Sequence, residues 1–301
     1  MLADVTTADH CFEITATGCT IEGLDIKQAS ETASAEGIRY NANGVLDIKC
    51  CIIWGDRGAV DQDGFYSGTV PSTSTVVNFE NCVFYNFRRA GIHNYQAVGP
   101  TININSCTLG FCGEDGEAYS GELSIFGPGG PQTYANSFNS IFIGKIPAAY
   151  PDYHVQATYE SYVTDAMDRC IYGTQERCDD IDDSQGGVSE YDTDQGSGSY
   201  VIFNDITGDM PWDLRLQDLA NANNNAVAEH SDSAMGNEVN SQVLTMPATD
   251  LDGNTRSAPY CVGAFEIAAA GGGWTGKICG VTNPSKICGV DVANISKVCG
   301  V

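Results

Sequence analysis

Residues 76–85 read VVNFENCVFY and residues 101–110 read TININSCTLG. With Cys82 and Cys107 set at position zero, apolar residues stand five and three places before them (Val77 and Phe79; Ile102 and Ile104) and two places after (Phe84; Leu109). The same signature surrounds Cys51 (Leu46, Ile48, Ile53), Cys19 (Ile14, Ala16, Ile21) and, more weakly, Ser140 (Ala135, Ser137, Phe142). These anchors are 32, 31, 25 and 33 residues apart. Internal periods of roughly 20–50 residues belong to solenoids, propellers or arrays. Period-two alternation specifies strands. A propeller blade needs four strands in about 40–45 residues, whereas a unit such as ATGCTIEGLDIK holds two or three, joined by Gly- and Asn-rich bends. The expected unit is therefore one coil of a parallel β-helix, which buries its inner face only by stacking on the next coil. The anchors then form an inward ladder, a place suited to cysteine, which is small, apolar and readily buried. The competing fold is a β-sandwich.

The chain has 301 residues, long enough for a large core in one or two domains. Its formal net charge is −25, from 39 acidic and 14 basic residues. Binding nucleic acid through phosphates needs clustered Lys and Arg, so that class is disfavoured, and any bound ion is expected to be a cation. No apolar run is long enough to span a membrane. MLADVTTADHC shows no basic or apolar leader segment. The chain enters directly into a coil, where solenoids carry a cap; a neighbouring chain or a longer product is expected to supply it. Thirteen cysteines cannot all pair within the chain. Their spacing makes no zinc set. Cys170 and Cys178 are the candidate disulfide, and the rest are expected as buried thiols.

Residues 1–267 are read as the solenoid. Within it, 144–199 reads as a long acidic excursion: Glu160 to Asp194 holds eleven acidic and two basic residues. YVIFNDITGDMPWDLRLQDLANANNNA predicts strand, turn, strand and a helical turn. After the break AAAGGGW, residues 268–301 carry three near-copies: Lys277-Ile-Cys-Gly-Val281, Lys286-Ile-Cys-Gly-Val290 and Lys297-Val-Cys-Gly-Val301. Each is expected to form one very short strand. Strands that short make no core of their own, so the segment 274–301 is expected to dock on this chain or a neighbour.

Stacking the coils on their anchors puts Asp25, Arg57, Arg88 and Gly113 at one offset and Asp61 and Glu117 at another, with His93 beside them. Asp61, Asp63, Arg88, Arg89, His93 and Glu117 are thus candidates to face one groove. A carboxylate pair on such a groove would suit glycoside hydrolysis; surface charge at bends is the plainer account. Asp250, Asp252 and Asn254 alternate with a Gly like the start of a Ca²⁺ loop, but Cys261 stands where the chelating Glu belongs, so a tight Asx turn is favoured. The run Asp179, Asp180, Asp182 and Asp183 is a second candidate for Ca²⁺. No other cofactor is indicated. The four histidines suggest no triad, and no Gly-rich phosphate loop or Gly-x-Ser-x-Gly elbow is present. Tyr66, Tyr95, Tyr119, Tyr150 and Tyr153 would either stack on sugars or serve as ordinary packing.

FNDITGDMPWDLRL, followed by DLDGNTR and VGAFE, resembles the C-terminal end of right-handed parallel β-helix proteins of the pectate-lyase-like class. The matching residues are Gly208, Asp209, Leu214, Leu216, Asp250, Asp252, Gly253, Asn254, Arg256, Gly263, Ala264, Phe265 and Glu266. LANANNNA departs from the Ser-Pro-Ala turn such proteins carry. FRRAGIHNY resembles an Arg-x-Gly-x-x-His element of pectate lyases, one residue short, and the polygalacturonase motifs are missing. The resemblance spans about 14–267 and implies a right-handed β-helix; a fold leaves activity open. The Lys-Ile-Cys-Gly-Val tail is similar to repeats at the C-termini of virion-associated proteins of marine bacteriophages. Together these favour a non-catalytic structural or assembly protein of a virion or extracellular fibre. It would dock through 274–301 as a homo-oligomer, a trimer for instance, or onto other fibre subunits. The alternatives are a lyase or glycosidase acting on acidic polysaccharide, which the resemblance to pectate-lyase-like proteins implies together with a Ca²⁺ site and an Arg or Lys base or a carboxylate pair, and an adhesin for cell-surface polysaccharide.

Overall fold

A computed structural model of the chain describes, with side chains, residues 10–29, 35–56, 61–68, 74–95, 99–113, 121–125, 133–142, 167–170, 214, 231–236, 243–258 and 260–266, and further strands by their backbone. Strands are laid down in a repeating order of three: β1 (Leu2–Val5), β2 (Phe12–Ile14), β3 (Cys19–Glu22); β4 (Asp25–Gln28), β5 (Ile38–Tyr40), β6 (Val45–Lys49); β7 (Ile52–Gly55), β8 (Asp63–Ser67), β9 (Val76–Glu80); β10 (Val83–Tyr85), β11 (Ala90–Tyr95), β12 (Thr101–Asn105); β13 (Thr108–Gly110), β14 (Gly121–Phe126), β15 (Thr133–Phe138); β16 (Ile141–Ile143), β17 (Val155–Thr158), β18 (Val163–Asp168); then β19 (Ile171–Tyr172), β20 (Cys178–Asp179) and β21 (Ser189–Glu190). Up to β20 each strand pairs in parallel with the one three places before it, and β21 pairs with β19. This makes three sheets, ordered β1-β4-β7-β10-β13-β16-β19-β21, β2-β5-β8-β11-β14-β17-β20 and β3-β6-β9-β12-β15-β18. The fold is all-β, a parallel β-helix.

The core is built from columns of like residues. Leu46, Val77, Ile102 and Ala135 are in register on the third sheet, as are Ile26, Ile53, Phe84, Leu109 and Phe142 on the first and Ile38, Phe65, Ile92 and Leu123 on the second. All are buried, and each buried aliphatic or aromatic side chain contributes about 1.5–3 kcal/mol.

The registers place Cys51, Cys82, Cys107, Ser140 and Cys170 at successive steps of one ladder, one residue before Ile52, Val83, Thr108, Ile141 and Ile171. The first copy of the repeat differs from expectation. Cys19 lies opposite Leu46, and the residue at the ladder step is Leu24, preceding Asp25 opposite Ile52. With Leu24 at zero, Cys19, Ile21 and Ile26 occupy the signature positions, so the reading had slipped by five residues. Both registers put apolar residues inside; only inter-coil pairing distinguishes them. Cys170 is a free, buried ladder thiol and not half of a disulfide, and none of the described cysteines is bridged.

The bend ahead of the ladder explains why it takes Cys or Ser. The residue before each step has a positive φ: Gly23 (69°), Cys50 (50°), Asn81 (51°), Ser106 (53°), Asn139 (50°) and Arg169 (55°). That conformation leaves the preceding carbonyl turned toward the ladder side chain. Cys51, Cys82, Cys107 and Cys170 each donate S–H to the carbonyl two residues back, at 3.1–3.4 Å, and Ser140 donates O–H to Phe138 at 2.9 Å. Cys112 repeats the device after Phe111 (φ 60°), donating to Gly110 O at 3.4 Å. The anchor is therefore a small buried donor that closes a left-handed bend. Burial pushes the Cys170 thiol up to about 12 and raises Cys82 well above the ordinary thiol range, so these sulfurs stay protonated and unreactive.

Strands β17 to β21 join the same three sheets. The coils thus run on through much of the stretch read as an excursion. Acidic residues hide the period there, because a coil strand needs only one or two apolar residues facing inward. Beyond it, β22 (Phe203–Asp205) and β23 (Asp213–Leu216) form an antiparallel pair, as do β24 (Glu229–His230) and β25 (Tyr260–Cys261); the expected helical turn lies outside the described residues.

The described residues of 231–236, 243–258 and 260–266 close over the outer face of the third sheet. Phe138, facing outward on β15, is buried beneath Met235 and Leu244, with Met246 beside them. Asn81 and Asn105 donate to Thr249 O and Thr245 O, both at 2.7 Å. Arg256, its side chain fully buried, donates to Asn81 Oδ1 (3.1 Å), Gly263 O (2.8 Å), Cys261 O (3.2 Å) and Glu266 Oε1 (2.7 Å). The Asp-Leu-Asp-Gly-Asn-Thr-Arg and Gly-Ala-Phe-Glu motifs are thus a clasp on the bends of the central coils. Gly208 and Asp209 lie outside the described residues.

The chain divides into two units, Met1–Glu266 and Ile267–Val301. In the second, β26 (Lys277–Ile278) pairs antiparallel with β27 (Val281–Thr282), and β28 (Lys286–Ile287) with β29 (Val290–Asp291). Each of the first two repeats is therefore a miniature hairpin, not one strand: the Cys-Gly dipeptide lies between its two halves, in keeping with the Gly preference of two-residue turns. The third repeat lies outside the described residues.

Candidate functional site

The outer face of the second sheet gathers charge on four successive coils. Glu36 precedes β5, one coil before Asp63 at the start of β8, so the two carboxyls belong to adjacent rungs; Gly37 N–H donates to Asp63 O at 2.9 Å. Arg39, Tyr66, His93 and Ser124 are in register one column over. Beneath this face glycine makes room for the core: a Cβ on Gly64 would lie 2.5 Å from Gly91 O and 2.7 Å from the ring of the core residue Phe87.

Asp63 is the hub and is completely buried. Arg89 Nε donates to its Oδ1 at 2.9 Å, and the terminal nitrogen of the same guanidinium joins Oδ2. His93 Nδ1 lies 3.1 Å from Oδ2. Arg89 also reaches Asp61 Oδ1 at 3.3 Å. The Arg39 and Arg89 guanidiniums lie over the Tyr66 ring at 5.6 and 5.8 Å, and His93 meets that ring edge-on. On the next coil toward the N-terminus, the buried Glu36 carboxyl abuts His10 Nδ1, and Arg39 lies 3.0 Å from His10 Nε2.

These contacts separate the two carboxyls electrostatically. Burial, and then the charge of Asp63, push Glu36 up to about 8. Burial works to raise Asp63 too, but His93 and Arg89 outweigh it and hold that carboxyl below its ordinary value. A protonated Glu36 beside an ionised Asp63 is the asymmetry expected of an acid and a base. Against that use, Asp63 is already bound by two cationic or hydrogen-bonding side chains, and both carboxyls are sealed from solvent.

Of the residues singled out from sequence, Asp61, Asp63, Arg89 and His93 are brought together. Arg88 is half-buried, and it is its neighbour Arg89 that grips Asp63. Glu117 lies outside the described residues. His10, Glu36 and Arg39 were missed, and Tyr66 was singled out for sugar stacking or packing and not for this cluster. The signal for Glu36 was obscured by the slip at the first coil: counted from Leu24 it holds the same offset, twelve, that Asp63 holds from Cys51. Tyr66 is held beneath two guanidiniums, and Tyr95 is exposed; the other three tyrosines lie outside the described residues.

Asp250, Asp252 and Asn254 form a turn. Asp250 Oδ1 accepts Asn254 N–H at 2.7 Å, and Oδ2 accepts the Asn254 amide at 3.0 Å and Glu266 N–H at 2.8 Å. Asp252 and Asn254 are exposed. Asp179 sits on β20, while Asp180, Asp182 and Asp183 lie outside the described residues. Among the described residues no three acidic, His or Cys side chains converge as a metal site.

The third sheet carries a ladder of amides that ends on a carboxylate. Asn78 donates to Asp47 (2.8 Å), Asn103 to Asn78 (2.8 Å) and Asn136 to Asn103 (3.0 Å). A cavity of about 180 Å³ separates part of this ladder from Val243, Leu244 and Thr245. Among protein families, curated proteins and solved structures, none matches this chain.

Proposed function

We propose that the protein is a non-catalytic structural or assembly protein of a virion or extracellular fibre, docking through its C-terminal repeats. The observation that carries this reading is the pair of hairpins with two-residue strands in Ile267–Val301. Such hairpins are too short to be stable alone, and a chain that repeats them is best explained by a partner surface that completes them. The ladders support it as well. Along the solenoid, charged and amide side chains are engaged by the next coil, which suits a rigid spacer. Removing residues 274–301 should leave the melting of the solenoid unchanged and abolish assembly measured by light scattering. Unaltered assembly after truncation would refute the docking role.

The Glu36–Asp63 pair favours a second reading, a lyase or glycosidase acting on acidic polysaccharide. Release of oligosaccharide by the wild type, lost in Glu36→Gln, would establish it in place of the first.

A further inference from the structure

The geometry points to a glycan-binding cleft on the outer face of the third sheet, shaped for a neutral, hydroxyl-rich sugar ring. Its floor comes from three successive coils. Asp47, Asn78 and Asn103 are in register on β6, β9 and β12. Lys49, Glu80 and Asn105 stand two residues further along the same strands and so share that face. The wall is the segment 243–245, which the fold holds in place. Asn105 donates to Thr245 O at 2.7 Å, Leu244 O accepts Met235 N–H at 2.9 Å, and the Leu244 side chain packs over Phe138. The cavity of about 180 Å³ lies between floor and wall. The cleft belongs to the solenoid and owes nothing to the docking role of the C-terminal repeats.

The lining groups select the ligand. An amide offers two N–H donors and an oxygen with two lone pairs. Asn78 gives one N–H to Asp47 Oδ1 and accepts one from Asn103, both at 2.8 Å, which leaves one donor and one lone pair for a ligand. Lys49 Nζ and Glu80 Oε1 are 3.7 Å apart, and their side chains are 36% and 35% exposed. Fixed donors and acceptors thus stand side by side, as neighbouring hydroxyls require, since a hydroxyl both donates and accepts. Val243, 65% exposed on the wall, offers an apolar surface to the C–H face of a ring. An apolar surface with a few placed polar groups is the make-up of small-ligand sites. The cavity is smaller than the roughly 300–1,000 Å³ of pockets that enclose a drug-sized molecule, which suits one ring of a longer chain. Other ligand classes fit less well. Asp47 and Glu80 outnumber Lys49 in a chain of net charge −25, which repels phosphates, sulfates and uronates. Among the described residues no three acidic, His or Cys side chains converge to hold a metal ion.

The test is affinity electrophoresis of the full-length chain in native gels containing soluble dextran, galactomannan, xyloglucan or β-1,3-glucan, with polygalacturonate and alginate as acidic counterparts. Asn78→Ala removes the amide at the centre of the floor, and Val243→Asp puts a charge on the wall. Thermal melting checks that each variant folds. The wild type should be retarded in at least one neutral gel and in neither acidic gel, and each substitution should weaken the apparent affinity at least tenfold. If Asn78→Ala does not fold, Val243→Asp decides alone, because its side chain is exposed. No retardation in any neutral gel overturns the inference. Retardation in the acidic gels overturns the ligand class, and retardation that both variants keep places the sugar elsewhere and overturns the site.

Discussion

A buried thiol looks interchangeable with any small apolar group, but the ladder asks for more. Cys82 donates to Glu80 O and Ile48 O, both at 3.3 Å. Ser140 does the same work one step beyond Cys107 with a hydroxyl. Cys82→Ser should therefore cost under about 1.5 kcal/mol, since the donor survives. Cys82→Asp should cost more than about 3 kcal/mol, because an unpaired carboxyl would enter the core. Chemical denaturation measures both, and equal stabilities would remove the ladder's donor role. Glu36 and Asp63 shape the pH profile in opposite ways. The folded protein holds the Glu36 proton from the ordinary carboxylate range up to about 8, while the unfolded chain has released it. Stability should then decline as pH rises from about 4.5 to 8, at no more than roughly 1.4 kcal/mol per unit. Asp63 has a depressed value, so its contribution is present above the ordinary carboxylate pKa and is lost as pH falls through the acid range. Glu36→Gln should flatten the alkaline arm alone; an unchanged slope in urea melts between pH 5 and 8 would place the proton elsewhere.

At the scale of the element, each coil is held by what its neighbours permit. Gly64 sits where a side chain would strike the Gly91 carbonyl and two phenylalanine rings within 2.8 Å. Gly64→Ala has to spread β8 from β11, the two strands that carry Asp63 and His93. It should destabilise by about 1–3 kcal/mol and loosen the Asp63–Arg89 contact with it. The check is amide exchange in β8 and β11, which should quicken while β13 and β16 stay protected; uniform exchange would contradict a local effect. The clasp works by the same logic on the outer face. Arg256 joins the Asn81 bend to Cys261, Gly263 and Glu266, so a motif readable in sequence as a conventional ending is in practice a brace across coils remote in the chain.

For the whole molecule, the solenoid is a one-dimensional stack in which stability is passed between neighbours. Among the described residues, β2 and β3 are each paired with a strand on one side. In dilute protein, amide protection should therefore rise from Phe12–Ile14 and Cys19–Glu22 to the coils of β8 and β9. Exchange that shows no such gradient would mean the first coil is already capped.

The sequence by itself determined the fold class. Period-two alternation, repeated about every 30 residues around a small buried anchor, admits little else once coils must stack to hide their inner faces. It also marked Asp61, Asp63, Arg88, Arg89, His93 and Glu117 as candidates for one groove, because positions at similar offsets from in-register anchors fall on one face; of these Asp61, Asp63, Arg89 and His93 come together. Tertiary structure alone decided the register of the first coil, where Cys19 and Leu24 both satisfy an apolar pattern and only hydrogen bonds from the next coil choose between them. That choice brings Glu36 beside Asp63. It also decided that coils continue beneath an acidic composition, since a strand needs few inward residues and tolerates any charge outward. Local pattern reports which face a residue takes; which residue lies opposite depends on pairings between coils about 30 positions apart, and no local pattern carries that information.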